Sequence, residues 1–200
     1  MKRDPNSVEF WDESYLQGLT GWDLCEPTPV FARLIGDGRI TPGRMIVLGA
    51  GKGHDARLFA RAGFAVTAVD FAEEAVKAMR ELAEPEAPVA VLQADIFDLP
   101  GEMDGRFDLL LEYTCFCAID PTRRTEYADV VTQLLKPGGL YIALAFPISR
   151  HVGGPPFAVQ PDGLIFLLTM RGFTLKHREI PADSVASRQG REELLILQKS

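Results

Sequence analysis

The chain has 200 residues, of which 46% are hydrophobic, 24% charged and 9% aromatic. This length and composition suit one packed domain and exclude a disordered or fibrous chain. The 21 basic and 28 acidic side chains give 21 − 28 = −7, which argues against partners such as nucleic acid or an anionic membrane surface. No apolar run approaches the roughly 20 residues of a spanning helix, and three cysteines do not suggest a disulfide framework. We expect one domain, residues 1–200, in the cytoplasm.

Strands and helices are predicted to alternate along the chain. Apolar, β-branched runs predict strands at 45–49, 64–70, 89–95, 107–113, 140–146, 173–180 and 194–199. Helical spacing of apolar residues predicts helices at 56–62, 73–84, 127–135 and 162–171. This order is typical of an α/β fold with a seven-stranded, doubly wound parallel sheet and helices on both faces. Such sheets bind ligands where their strands end, so the loops after positions 48, 69, 94 and 112 are the candidate site.

The first of these loops is rich in glycine. Residues 47–55 read VLGAGKGHD, with glycines at Gly49, Gly51 and Gly53. Glycine permits positive φ and lets a ligand approach the backbone. A dinucleotide fingerprint needs glycine where His54 stands, and a phosphate-binding P-loop needs Ser or Thr after Lys52. The loop alone is therefore equally consistent with a tight turn.

Acidic residues end the next two strands. Asp70 lies 21 residues after the first glycine (70 − 49), where a carboxylate can accept hydrogen bonds from both hydroxyls of a ribose. Asp95 ends the third strand, where it can accept from an adenine amino group while Ile96 packs on the ring. The alternatives are that Asp70 caps the following helix and that Asp95 starts a turn. Their joint placement beside the glycine loop favours a nucleoside site.

This set of features resembles the class I S-adenosylmethionine-dependent methyltransferases, whose Rossmann-like fold and cofactor it implies. Three further segments, at 107–124, 134–139 and 146–157, resemble the thiopurine methyltransferase family, and within it the halide/thiol (thiocyanate) methyltransferases. The segment FWDESYLQGLTGWDLCEPTPVF at 10–31 also fits that group. The resemblance implies a helical N-terminal lid, residues 1–40, over the cofactor. The chain departs from the group at Tyr15, at Phe146 and in the segment 149–152, which leaves the methyl acceptor open.

The resemblance also implies the cofactor-binding residues, which are Trp11, Tyr15, Trp22, Gly49, Gly51, Asp70, Phe71, Asp95, Ile96 and Tyr113. The aromatic members have an independent rationale, because ring faces attract a sulfonium cation by about 0.5–2 kcal/mol for each good contact. Trp11 and Tyr15 are four residues apart, so one helix would present both. The alternative is that this helix only buries Phe10 and Trp11 against the sheet.

Two residues are candidates on the catalytic side, namely His151 and Tyr113. His151 either acts as a base or shapes the acceptor pocket beside Gly153 and Gly154. No metal site is expected, since the Cys115-x-Cys117 pair has no second pair at zinc spacing. The expected function is in-line transfer of a methyl group from S-adenosylmethionine to a small-molecule acceptor, a thiol, bisulfide, thiocyanate or halide. The alternatives are a larger thiol, a thiopurine, a metalloid oxyanion such as tellurite, or a cofactor sensor without activity.

Overall fold

The structure, a computed structural model, describes residues 4–200. Its sheet has seven strands in the order β3-β2-β1-β4-β5-β7-β6. The strands are β1 (Arg44–Leu48), β2 (Ala65–Asp70), β3 (Val89–Gln93), β4 (Phe107–Tyr113), β5 (Leu135–Ala145), β6 (Phe173–Glu179) and β7 (Glu193–Lys199). β4 is buried nearly throughout, as expected for a central strand covered on both faces.

Helices cover both faces of the sheet, which confirms the doubly wound α/β prediction. They are α1 (Val8–Leu16), α2 (Pro29–Gly36), α3 (His54–Arg61), α4 (Glu73–Glu81), α5 (Arg124–Leu134) and α6 (Pro161–Thr169). One core contains Phe31, Phe59 and Val76 of α2, α3 and α4, and the other contains Val131 and Leu168 of α5 and α6. Alternate residues of β1, β5 and β7 face the two cores.

Two details of the predicted sheet are wrong. β7 runs antiparallel to both β5 and β6, so the sheet is not wholly parallel. A parallel strand needs a long crossover, commonly through a helix, whereas residues 180–192 between β6 and β7 form turns and bends. β5 begins at Leu135, five residues before the predicted start, because Leu135 already pairs with Phe107 before a register shift.

The N-terminal segment is attached at the end of the sheet where β2 leads into α4. The carboxylate of Asp12 on α1 accepts a hydrogen bond of 3.1 Å from the backbone N–H of Glu74, in the first turn of α4. Ser7 caps α1 by accepting from the N–H of Phe10 at 3.3 Å. The Asp12–Glu74 hydrogen bond places α1 over the carboxyl ends of the strands, where the candidate loops lie. Across residues 4–200, no helix has the length and apolar character needed to cross a membrane.

Candidate active site

A cavity of about 500 Å³ opens at the carboxyl ends of the strands. This volume is in the range of small-molecule binding sites, about 300–1,000 Å³. Most of the predicted cofactor residues line it, namely Trp11, Tyr15, Trp22, Gly49, Asp70, Phe71, Asp95 and Ile96. Gly51 and Tyr113 instead line a smaller neighbouring cavity, and His151 lines neither. The topology thus brings together loops that are far apart in sequence.

Asp70 organises the glycine loop and the start of α4 at once. One carboxylate oxygen accepts from the N–H of Gly51 at 2.8 Å, and the other accepts from the N–H of Ala72 at 3.0 Å. Asp70 therefore also has a local structural role, although it bonds the residue before α4 and does not cap the helix. Burial raises the pKa of Asp70 to about 6, although these backbone donors oppose the increase. A carboxylate has spare lone pairs beyond these two bonds, so it can still accept from a ligand.

The glycines of the loop serve packing against protein atoms as well as backbone conformation. Gly49 and Gly51 have φ values of 60° and 55°, which favour glycine. A Cβ on Gly49 would lie 2.7 Å from the Sγ of Cys115, and one on Gly51 would lie 3.2 Å from the hydroxyl of Tyr15. The missing Cβ atoms therefore make room for the side chains of Cys115, just after β4, and of Tyr15 on α1, rather than only for a ligand.

Asp95 and Ile96 follow β3 at the far end of the large cavity. Asp95 accepts from the N–H of Phe97 at 2.9 Å, so it also begins a turn, as the alternative interpretation required. The Arg123 guanidinium covers the Phe97 ring at 3.6 Å from its centroid and bonds Glu126 at 2.8 Å. Sequence reasoning did not identify Arg123 or Phe97. The side chains of Asp95, Ile96, Phe97 and Arg123 all line the large cavity, and they offer it apolar surface and one carboxylate.

Trp11, Tyr15 and Trp22 form one aromatic cluster in the cavity wall. The Trp22 ring centroid lies 5.2 Å from that of Trp11 and 5.5 Å from that of Tyr15, both edge to face. The indole N–H of Trp22 donates to the hydroxyl of Tyr15 at 3.4 Å. Burial raises the pKa of Tyr15, with Asp70 contributing, so its hydroxyl stays neutral. The cluster offers several ring surfaces to a cation.

The smaller cavity, about 60 Å³, shares Trp22, Gly49 and Thr114 with the large one. Its wall holds two polar pairs. Lys52 bonds Asp23 at 2.8 Å, which ties the glycine loop to the N-terminal segment. The buried carboxylate of Asp55 accepts from the N–H of Thr28 at 2.7 Å and from its hydroxyl at 2.9 Å. Burial raises the pKa of Asp55 to about 6.

Tyr113, at the end of β4, has a fully engaged hydroxyl. It donates to Glu192 and accepts from the guanidinium of Arg188. Burial, followed by the charge of Glu192, raises the pKa of Tyr113. Arg188 and Glu192 lie just before β7 and were not identified from the sequence, because nothing in that charged stretch indicates that both side chains are buried.

His151 lies outside both cavities and is exposed. Its Nδ1 contacts the hydroxyl of Ser149, and its Nε2 lies 2.8 Å from the carbonyl oxygen of Pro156. Pro155 and Pro156 do line the large cavity, so His151 contacts a residue of the wall without lining the cavity itself. The structure therefore does not bring His151 together with the other candidates.

The large cavity also has an apolar part. Its wall includes Phe146 after β5, the prolines of the 154–156 turn, and Ile119 with Cys117 after β4. Burial raises the pKa values of the Cys115 and Cys117 thiols, and Cys117 donates to the carbonyl of Thr114 at 3.3 Å. Both thiols are therefore held protonated. No group of three or more metal-ligating side chains exists within residues 4–200.

The strand order, the glycine loop and the acidic strand ends define a class I S-adenosylmethionine-dependent methyltransferase. The sequence matches the family model of thiopurine S-methyltransferase over residues 6–196. The chain belongs to this family and is an S-adenosylmethionine-dependent methyltransferase, as the sequence predicted.

Relatives within the family fall into two groups. The chain is 36% identical to "Probable thiol methyltransferase 2" of Arabidopsis thaliana, covering 98% of this chain and 87% of the relative. It is 34% identical to "Thiocyanate methyltransferase 1" of Brassica oleracea, covering 95% and 85%. It is also 29% identical to "Thiopurine S-methyltransferase" of Vibrio cholerae serotype O1, covering 84% and 82%. S-methylation is thus the activity common to these relatives.

Solved structures support the fold. The 1,6-didemethyltoxoflavin-N1-methyltransferase of Burkholderia thailandensis, solved with S-adenosylhomocysteine, has a TM-score of 0.73 at 20% identity and covers 96% of this chain and 87% of its own. A TehB-like methyltransferase of Corynebacterium glutamicum has a TM-score of 0.63 at 18% identity, covering 98% and 100%. At these identities the likeness concerns the fold alone.

Proposed function

We propose that this enzyme methylates a small soft nucleophile, namely a thiol, bisulfide, thiocyanate or halide. The observation that carries the proposal is the apolar part of the large cavity's wall, which includes Phe146, Ile119 and the prolines. A weakly hydrated soft anion or a neutral thiol is desolvated against such a wall at a lower cost than a strongly hydrated oxyanion. The thiol and thiocyanate methyltransferases among the relatives support the same acceptor class.

The residues of the large cavity fit S-adenosylmethionine. When bound, this cofactor supplies a methyl group on a sulfonium, which a nucleophile displaces in line. Asp70 would accept the ribose hydroxyls, Asp95 would accept the adenine amino group, and Ile96 would pack on the base. Phe71 and Tyr113 would add contacts from the ends of β2 and β4. The smaller cavity, with Lys52, Asp23 and Asp55 in its wall, offers opposite charges for the amino-acid end.

The N-terminal segment 1–40 acts in this proposal as a lid. Trp11, Tyr15 and Trp22 would surround the sulfonium and keep water away from the acceptor. Alignment of two reactants in a dry site can lower the barrier by about 7–11 kcal/mol. No side chain needs to remove a proton when the acceptor is already an anion, which agrees with the engaged hydroxyl of Tyr113 and the position of His151.

An acceptor panel tests the proposal. The enzyme is supplied with S-adenosylmethionine and with thiocyanate, bisulfide, iodide, a small neutral thiol, a thiopurine or tellurite, and formation of S-adenosylhomocysteine is measured. We expect turnover with the first four and the largest kcat/KM among them. Preference for the thiopurine or tellurite would overturn the acceptor class, and tight cofactor binding without any turnover would indicate a sensor.

The pH dependence separates the two kinds of small acceptor. Thiocyanate is an anion throughout the accessible range, so its rate should stay flat between pH 6 and 8. A thiol with a pKa near ~8.5 should react about tenfold faster for each pH unit up to that value, because only the thiolate attacks. A thiol rate that is flat over the same range would show that the enzyme removes the proton itself.

A further inference from the structure

Arg188, in the loop between β6 and β7, lies at the edge of the sheet where the candidate active site is found. The side chain of Arg188 is buried, with 4% of the residue exposed. It contacts the end of β4, the end of β5 and the N-terminal segment, which are separate in sequence. A buried guanidinium is costly unless it is fully paired, so its surroundings indicate what holds it there.

Three contacts fix the guanidinium of Arg188. One terminal nitrogen donates to the carbonyl oxygen of Trp22 at 2.6 Å, and the other donates to the hydroxyl of Tyr113. Its central carbon lies 4.7 Å from the ring centroid of Phe146. Glu192, with 1% of the residue exposed, accepts from Tyr113 and lies 3.9 Å from Arg188, which balances the charge.

Two of these partners line the large cavity from different sides. Trp22 belongs to the aromatic cluster of the proposed lid, and Phe146 belongs to the apolar acceptor wall. Arg188 itself lines neither cavity. We propose that Arg188 is a positioning residue that clamps Trp22 and Phe146 together, so that lid and acceptor wall close as one unit. This inference rests on the proposed function of the cavity.

The clamp is tested with Arg188→Met, Arg188→Lys and Tyr113→Phe. Arg191→Met is a matched control, since Arg191 lies in the same loop and 5.4 Å from the same Phe146 ring. Within residues 4–200, its side chain donates no hydrogen bond to Trp22 or Tyr113. Trp11 and Trp22 are the only tryptophans of the chain, so quenching of intrinsic fluorescence by acrylamide reports on the lid directly.

We expect Arg188→Met to increase acrylamide quenching of the tryptophan fluorescence, both with and without S-adenosylhomocysteine. The variant should also bind S-adenosylhomocysteine about tenfold more weakly, since two charge-assisted hydrogen bonds are lost. Arg188→Lys keeps the charge but lacks the planar fork whose two nitrogens reach Tyr113 and Trp22, so it should recover part of the loss. Tyr113→Phe should change quenching in the same direction by a smaller amount, and Arg191→Met should match the wild type. The KM for the acceptor should rise with Arg188→Met, because Phe146 is released as well.

Wild-type quenching and affinity in Arg188→Met, with only a lower melting temperature, would overturn the clamp and leave Arg188 a purely structural residue. If Arg188→Met does not fold, Arg188→Lys and Tyr113→Phe decide the question by the same measurements. The fluorescence and binding readouts need no methyl acceptor. A wrong acceptor class would therefore leave them unchanged and appear only in the turnover panel.

Discussion

The cofactor side and the acceptor side of the cavity are built in different ways. The cofactor side comes from three loops that follow β1, β2 and β3, and backbone N–H groups hold its carboxylates Asp70 and Asp95. The acceptor side is assembled from the N-terminal segment, Phe146 and the 154–156 turn, with Arg188 behind it. Substitutions on the first side should therefore act mainly on cofactor affinity, whereas those on the second should lower turnover and, through the aromatic cluster, also weaken cofactor binding.

The largest effect is expected from removing the N-terminal helix and its aromatic residues. Deletion of residues 1–22 should leave a folded sheet, because β1 begins only at Arg44. Turnover should fall by at least about 100-fold, since Trp11, Tyr15 and Trp22 no longer exclude water or align the reactants. Far-UV circular dichroism checks the fold, and S-adenosylhomocysteine formation with thiocyanate measures activity. Near-normal turnover of the truncated enzyme would mean that these aromatics are ordinary core.

The second prediction concerns the cofactor side. Asp70→Ala should raise the dissociation constant of S-adenosylhomocysteine about tenfold or more, because the ribose hydroxyls and the Gly51 N–H lose their acceptor. Calorimetry measures the constant, and Asp95→Ala should give the same pattern. Asp98→Ala is a matched control, since Asp98 is exposed and lies three residues beyond Asp95. An unchanged constant for Asp70→Ala would contradict the ribose assignment.

The pKa of Asp70 predicts how cofactor affinity depends on pH. Burial raises this pKa from 3.8 to about 6, so the protonated carboxyl stabilises the fold relative to the ionised one. That contribution to stability is complete below about pH 3.8 and is lost as the pH rises through about 6. Ligand hydroxyls need the ionised form. Affinity for S-adenosylhomocysteine should therefore be constant above pH 6 and fall by up to about tenfold per unit below it. Asp70→Asn should bind weakly without this dependence, and a wild-type affinity that is flat from pH 5 to 8 would refute the assignment.

Local sequence patterns were sufficient to predict which strand-end residues line the large cavity, because these residues follow consecutive strands at set spacings. The strand order then placed Gly49, Asp70 and Asp95 in one wall. The same patterns could not distinguish a local structural role from binding, and Asp70 does accept from the N–H of Ala72, the residue before α4. A carboxylate with several lone pairs serves both roles, so neither interpretation excludes the other.

The acceptor side was less predictable, because its contacts join distant parts of the chain. Arg188 reaches Trp22 across 166 positions, and no spacing rule encodes such a contact. Tyr113 was placed correctly at the end of β4, but its hydroxyl faces Glu192 rather than the large cavity. The direction of β7 was missed for a related reason, because it depends on how the chain connects β6 to β7 and not on the apolar pattern of either strand.

The smallest effect is expected from His151→Gln. The carbonyl of Pro156 can only accept, so Nε2 of His151 carries the proton and donates to it, while Nδ1 accepts from the hydroxyl of Ser149. Neither nitrogen is then free to take a proton from a thiol. Since Pro156 lines the cavity, the ring supports the wall, and its loss should lower the rates with thiocyanate and with a thiol by the same factor, about twofold to threefold.

Measuring both acceptors from pH 6 to 9, in wild type and in His151→Gln, checks this role. The thiol rate of the wild type should rise steeply up to the thiol pKa, and the variant should keep the same slope. A base at this position would instead flatten the wild-type thiol profile above about pH 6 to 7, where an ordinary histidine is neutral. His151→Gln would then restore the steep slope and leave thiocyanate untouched. Such a selective loss on the thiol would return His151 to the catalytic side, although it lines neither cavity.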